Sequence, residues 1–197
     1  MGTTHLSGLQ VAGVPTFGVG ALPLGNTYFY VDSVNGLAGN PGTFDQPYAL
    51  LSTAIAACTA NTGCIIVIKA GHVETITSAT TLAFNVAGIQ IVGLGTGANR
   101  PTFTFTTANT ATIAVSATSI KISNCIFVGN FLSIASCFTL TTAPNFWVDS
   151  CAFRDTDATH GFLSIITTTV SVNSDGLTFS GNVVQTDATT TPGPTIV

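Results

Sequence analysis

The residues able to do acid, base, metal or nucleophile chemistry are few: eight Asp and Glu, four Lys and Arg, three His and five Cys in 197. Their densest grouping is the phrase CAFRDTDATHG over 151–161, which holds Arg154, Asp155, Asp157 and His160, with Asp149 just before it. Asp155 and Asp157, joined by Asp187 if the chain folds back in register, could form a glycosidase-like carboxylate pair. A carboxylate pair could instead bind Ca²⁺ through its hard oxygens. Loops rich in Asp and Thr are also the ordinary way to end strands, through side-chain hydrogen bonds to the backbone, and this is the favoured reading. No catalytic residue is therefore assigned, and no cofactor beyond the Ca²⁺ option.

The other reactive types point nowhere in common. His5, His72 and His160 are far apart and lack a partner pattern, and His72, just after the Gly71 turn, reads as a loop residue. The GLGTG stretch with Gly93, Gly95 and Gly97 is followed by no helix or Lys, so it is not a phosphate loop. Cys58, Cys64, Cys125, Cys137 and Cys151 form no CxxC or Cys/His cluster, which leaves a zinc site unsupported. Cys58 and Cys64 could close a short loop; the remaining thiols read as small core residues.

Composition narrows the rest. The chain is 46% hydrophobic and 6% charged, with a net charge of −4. Four basic residues cannot neutralise many phosphates, so nucleic-acid binding is excluded as a main role, and acidic membrane surfaces are disfavoured. The aliphatic run Ile65 to Ile68 is far short of a membrane span. Thr numbers 34 while helix-forming charged residues are scarce, which suits half-exposed strands. The chain begins with neither a charged-then-apolar leader nor carries an Asn-x-Ser/Thr sequon, so classical secretion has no local signature.

Three regions follow. Residues 1–27 carry six Gly and two Pro and read as an extended arm. Leu6, Leu9, Val11, Val14 and Phe17 make it too apolar for a mere tether, so it is expected to dock on a partner. Residues 28–187 form one domain, with a cap and first coil over 28–81 and repeated coils over 82–187; residues 188–197 are a tail. In the cap, Tyr28 to Val31 is a strand, 35–43 a loop, and Pro47 opens a helix from Tyr48 to about Thr59 with Leu50, Leu51, Ala54, Ile55 and Cys58 on one face. From residue 82 a two-part phrase recurs: Leu82-x-Phe84 with Ile89-x-Ile91, Ile113-x-Val115 with Ile120-x-Ile122, Phe138-x-Leu140 with Phe146-x-Val148, and Val170-x-Val172 with Leu177-x-Phe179. The second pair starts seven or eight residues after the first in every case. Cys125 and Phe127 match Cys151 and Phe153 at one further offset, with Asn182 and Val184 in the fourth unit. Short strands bent at turns and recurring at this interval make a parallel solenoid of four or five coils, about 20–25 Å tall at ~4.8 Å per coil. The helix face is suited to plug its apolar end, and Pro192 and Pro194 block strand addition at the other.

Alternation points Trp147 outward between inward Phe146 and Val148, and Ile126 and Val183 outward on a third face. Exposed apolar residues on a flank suggest a partner surface, most simply another copy of the chain. A Trp beside acids could instead stack on a sugar ring.

The phrase Tyr30-Val31-Asp32-Ser33, Asn35-Gly36, Asn40-Pro41-Gly42-Thr43, Pro47-Tyr48-Ala49-Leu50, then Ile66-Val67-Ile68-Lys69-Ala70-Gly71-His72, resembles the leading module of the right-handed parallel β-helix family, often called pectin-lyase-like. The stretch from Ser119 to Phe127 resembles its coils, and the resemblance covers about 28–187. It implies an all-β, short, single-stranded right-handed parallel β-helix with an N-terminal capping helix and an extended arm. Enzymes of that family place acids, and in lyases calcium with basic residues, on one outer face of adjacent coils. Here acids are sparse and the stack is short. The chain is similar to β-helices of bacteriophage or related virus particles, which implies a non-enzymatic virion protein: a capsid decoration or fibre and spike module, homotrimeric, assembled in the host cytoplasm and exposed on the particle. Its arm would bind the major capsid protein or another virion protein. The alternative is a carbohydrate-binding or polysaccharide-degrading β-helix of the tailspike or pectate-lyase kind, working through Asp155, Asp157 and Asp187 with Trp147 as platform. A secreted adhesin is a third reading.

Overall fold

The structure, a computed structural model, describes residues 27–169 and 173–186, with backbone alone at 10–11, 14–15 and 195–196. In the arm, β1 (Gln10–Val11) and β2 (Val14–Pro15) form a short antiparallel pair; Leu6, Leu9 and Phe17 lie outside the described residues. A lead-in strand β3 (Tyr28–Val31) is followed by helix α1 (Leu51–Ala57). Coils then follow three strands at a time. The first is β4 (Ile65–Ile68), β5 (Val73–Ile76) and β6 (Ala83–Phe84), and the second β7 (Gln90–Gly93), β8 (Thr102–Phe105) and β9 (Ile113–Val115). The third is β10 (Lys121–Ser123), β11 (Ile126–Gly129) and β12 (Phe138–Leu140), and the fourth β13 (Trp147–Asp149), β14 (Ala152–Asp155) and β15 (Ser164–Thr168). The fifth holds β16 (Thr178–Ser180), β17 (Val183–Gln185) and β18 (Thr195–Ile196).

Each strand pairs in parallel with its counterpart one coil away, giving three sheets: β3-β4-β7-β10-β13-β16, β5-β8-β11-β14-β17 and β6-β9-β12-β15-β18. The chain is thus a parallel β-helix. The phrase that recurs in the sequence is a third-sheet strand of one coil followed by the first-sheet strand of the next. Its inward residues Leu82, Phe84, Ile89, Ile91, Ile113, Val115, Ile120, Ile122, Phe138, Leu140, Phe146 and Val148 are all buried. On the second sheet Phe103, Phe127 and Phe153 stack with centroids 5.6 and 5.2 Å apart and planes within 20° of parallel.

Two expectations change. In the fourth unit the third-sheet partners of Phe138 and Leu140 are Ile166 and Thr168, not Val170 and Val172, which lie outside the described residues. Phe162, Ile165 and Ile166 already fill the core at that level. Helix α1 is also shorter than the apolar spacing predicts. Tyr48 is held in a parallel bridge to Val31, donating to Tyr30 O at 2.9 Å, which keeps it extended and delays the helix to Leu51. Leu50 is then an exposed cap residue, while Leu51, Ala54 and Ile55 plug the core.

The turns repeat as strictly as the strands. Before the first sheet, Gly63, Gly88, Ser119, Asn145 and Gly176 all have positive φ; after it, so do Gly71, Asn124, Ser150 and Gly181. Gly and Asn tolerate this left-handed backbone, whereas it costs other residues roughly 1–2 kcal/mol. The turn amides bond upward: Gly88 N to Thr118 O at 3.0 Å, Ser119 N to Pro144 O at 2.9 Å and Asn145 N to Asp175 O at 2.7 Å. In the cap, Gly42 sits where a Cβ would lie 2.3 Å from the Tyr48 ring, so the Asn-Pro-Gly loop folds only with glycine there. A disulfide joins Cys58 to Cys64, tying the end of α1 to the start of the first coil.

Phe127→Ala removes the middle of the ring stack and is expected to cost about 3–5 kcal/mol in denaturant unfolding, while Trp147→Ala at the surface costs much less. Reducing the Cys58–Cys64 bridge is expected to cost about 2 kcal/mol, from the loop-closure entropy of so short a ring.

Candidate functional site

The acid-bearing loop is built on a neighbour. Residues 156–163 follow β14 and stand on the corresponding loop of the coil below, through bridges Leu132 to His160 and Ile134 to Phe162. Asp157 is used inside its own turn: its carboxylate accepts from Thr159 N at 2.8 Å, the Thr159 hydroxyl at 2.8 Å, His160 N at 2.9 Å and the His160 ring at 2.8 Å. The Thr159 amide first, then the His160 ring, hold its carboxyl well below the usual carboxylate range. A depressed carboxyl supports the folded turn above the ordinary carboxylate pKa and loses that support as pH falls through the folded value.

Asp155 ends β14, and its Oδ1 accepts from Phe162 N at 3.2 Å. A Cβ on Gly161 would lie 2.3 Å from that oxygen, so the closing glycine of the phrase exists to let the carboxylate in. Both aspartates therefore organise the loop. Asp187 lies outside the described residues. No group of three His, Cys, Asp or Glu side chains among the described residues is arranged to hold a metal.

A second cluster is more accessible. On the outer face of the first sheet, register puts Gln90, Lys121, Trp147 and Thr178 in one row and Ser123, Asp149 and Ser180 in the next. The Trp147 indole N–H donates to Ser180 Oγ at 3.0 Å, and that hydroxyl donates to Asp149 at 2.9 Å. Lys121 closes the set, 3.5 Å from Asp149 and 3.7 Å from the centre of the indole ring. A cation held over Trp and paired with a carboxylate fixes the ring's orientation. Beside it lies an open groove of about 440 Å³ lined by Gln90, Ser119, Lys121, Asn145 and Trp147. Of the outward residues expected to bind a partner, Trp147 is 39% exposed and Val183 55%. Ile126 is not available: it is 2% exposed, an inner rung flanked along its ladder by Thr102 and Ala152, whereas Val183 sits on the last described rung of its sheet.

A third group was hidden from residue spacing. His72 is fully buried rather than in an open loop, and its Nε2 lies 3.2 Å from Glu74 Oε2. Glu74 is an inward residue of β5, and the same oxygen accepts from Leu51 N at 3.0 Å. It therefore supplies the acceptor that the cap residue Leu50 lacks at the start of α1. The alternation of β5 was the available signal, since inward Ile76 requires Glu74 to point inward too.

The thiols are inert. Burial pushes Cys125 and Cys137 well above the ordinary thiol value and Cys151 up to about 11, so all three are protonated at neutral pH.

No family model matches the chain, and no curated protein matches it. Among solved structures it is similar to a rhamnogalacturonan lyase, with a TM-score of 0.54 and 16% identity over 81% of this chain. The chain spans half the length of that lyase. At this identity the likeness concerns the fold, and it agrees with the sheet topology.

Glu74→Leu leaves the Leu51 amide and the His72 ring without an acceptor in a buried setting. It is expected to lower stability by about 2–4 kcal/mol in urea unfolding, whereas Glu74→Gln, which keeps an acceptor oxygen, loses clearly less.

Proposed function

We propose that the chain is a non-enzymatic building block of a multi-copy particle, a bacteriophage or related virion, whose β-helix is displayed at the surface as a decoration, fibre or spike module. The observation that carries this reading is the apolar exposure at both ends of the stack. Val34, Leu37, Phe44 and Val73 are all more than half exposed at the capped end, and Val183 and Val184 are 55% and 41% exposed on the last described rung. Exposed apolar side chains at the ends of a stack with so few charges favour contact with other chains. Homotrimerisation and attachment through residues 1–27 belong to the same proposal. The Cys58–Cys64 bridge accords with a surface that meets oxidising surroundings. The use of Asp155 and Asp157 within their own loop supports a role without catalysis.

A second reading has its own observation: the groove beside Trp147, where a fixed indole and the side-chain amides of Gln90 and Asn145 offer a flat apolar face with hydrogen-bonding groups around it. That chemistry suits a saccharide held without cleavage, and the lyase of similar fold acts on one by its name.

Light scattering on the native full-length protein tests the first reading: a stable trimer is expected, shifted towards monomer by Leu37→Asp or Val183→Asp, and a monomer at all accessible concentrations contradicts it. For the second, oligosaccharide titration should change Trp fluorescence in a way that Gln90→Ala weakens several-fold; no change with either neutral or acidic glycans rejects it.

A further inference from the structure

The groove beside Trp147 lies along the corner that leads into the first sheet, and three successive coils line it. Gln90 belongs to the second coil, Ser119 and Lys121 to the third, and Asn145 and Trp147 to the fourth. Ser119 and Asn145 stand in the left-handed turns of that corner. Gly176, one coil further, makes room for the Asn145 amide, since a Cβ there would collide with Asn145 Oδ1. Side-chain amides and hydroxyls each carry both a donor and an acceptor. They therefore match sugar hydroxyls, which also do both, better than an ionised carboxylate, which only accepts.

The charges of the site point the same way. Among the described residues lining the groove, Lys121 alone is charged. Its ammonium is engaged on two sides, by Asp149 at 3.5 Å and by the indole, whose centre lies 3.7 Å away. Less than a third of either charged side chain is exposed. Asp149 is itself held, because the Ser180 hydroxyl donates to it at 2.9 Å while accepting from the Trp147 indole N–H at 3.0 Å. The pair is thus fixed in place and neutral as a unit. An acidic ligand reaching for Lys121 would bring its own charge against Asp149, where like charges repel, and would have to draw the ammonium off the ring. The net charge of −4 adds no attraction at longer range. A neutral ligand meets neither obstacle, and an ammonium with three N–H donors can still offer one to a sugar hydroxyl.

We propose that this groove selects neutral saccharides and that the Lys121–Asp149 pair turns acidic ones away, an inference that rests on the reading of the groove as a saccharide site. Asp149 then sets specificity without touching the sugar, by keeping Lys121 from serving a carboxylate.

Fluorescence titration of the full-length protein, whose single tryptophan is Trp147, tests it with neutral hexose oligomers and oligouronides of matching length. Neutral oligomers are expected to bind with an affinity that stays the same from low to high salt, and oligouronides at least tenfold more weakly at low salt. Asp149→Asn keeps an oxygen for Ser180 and removes the charge. It should raise oligouronide affinity at least tenfold, and adding Lys121→Met should abolish that gain. Oligouronides bound by the native protein as tightly as neutral oligomers overturn the selection and leave the saccharide site standing. So does the absence of a gain in an Asp149→Asn protein that unfolds at the native midpoint, and so does a gain that survives Lys121→Met. No fluorescence response to either class overturns the saccharide reading, and the selection with it.

Discussion

Everything in this molecule follows from the parallel ladder between coils. Each backbone strand bonds to the same strand one turn away, so any residue is stacked on its counterpart at ~4.8 Å. Inside, this turns three phenylalanines into a ring stack. At the corners it demands a left-handed residue in every coil, met by Gly or Asn at most positions and by Ser at 119 and 150. Outside, it lines side chains up in rows, and this is how Lys121 comes to lie over Trp147 although 26 positions separate them in the sequence.

The same constraint explains how the scarce charges are used. A ladder satisfies its own backbone and needs charge only where it is interrupted. Glu74 stands where the helix meets the first coil, and Asp157 and Asp155 stand where the chain loops between β14 and β15. Lys69 reaches Asp32 at 3.8 Å and Phe44 O at 2.8 Å, holding the long loop that precedes α1. Charge thus marks joints. On the flank around Trp147, Lys121 and Asp149 sit on regular strands and are used instead to fix the indole ring.

Much of the fold was legible because inward residues in a solenoid carry the whole hydrophobic signal. Ile113 and Val115, Phe138 and Leu140 announce one sheet, and the constant step to Ile120 or Phe146 announces the corner. The errors came where local pattern and three-dimensional context part. Val170 and Val172 mimic the phrase, yet Ile166 has already taken the place next to Phe138. Tyr48 belongs to the apolar spacing of a helix but is captured by β3. Ile126 takes an outward position by alternation and is covered all the same, between Thr102 and Ala152 on its ladder. The acids of CAFRDTDATHG could be identified as turn residues from type alone; that a single oxygen of Glu74 serves both a helix and a histidine could not, since the partners are 23 and 2 residues away in different elements.

The central claim is that this β-helix works through its ends and not through its acidic loop. An electron-microscopy reconstruction of the purified native assembly tests it most directly. The account predicts contacts between copies that cover Val34, Leu37 and Val73 at one end or Val183 and Val184 at the other, with the loop over 156–163 left in solvent. Single isolated chains, or copies joined through that loop with both ends bare, would contradict it.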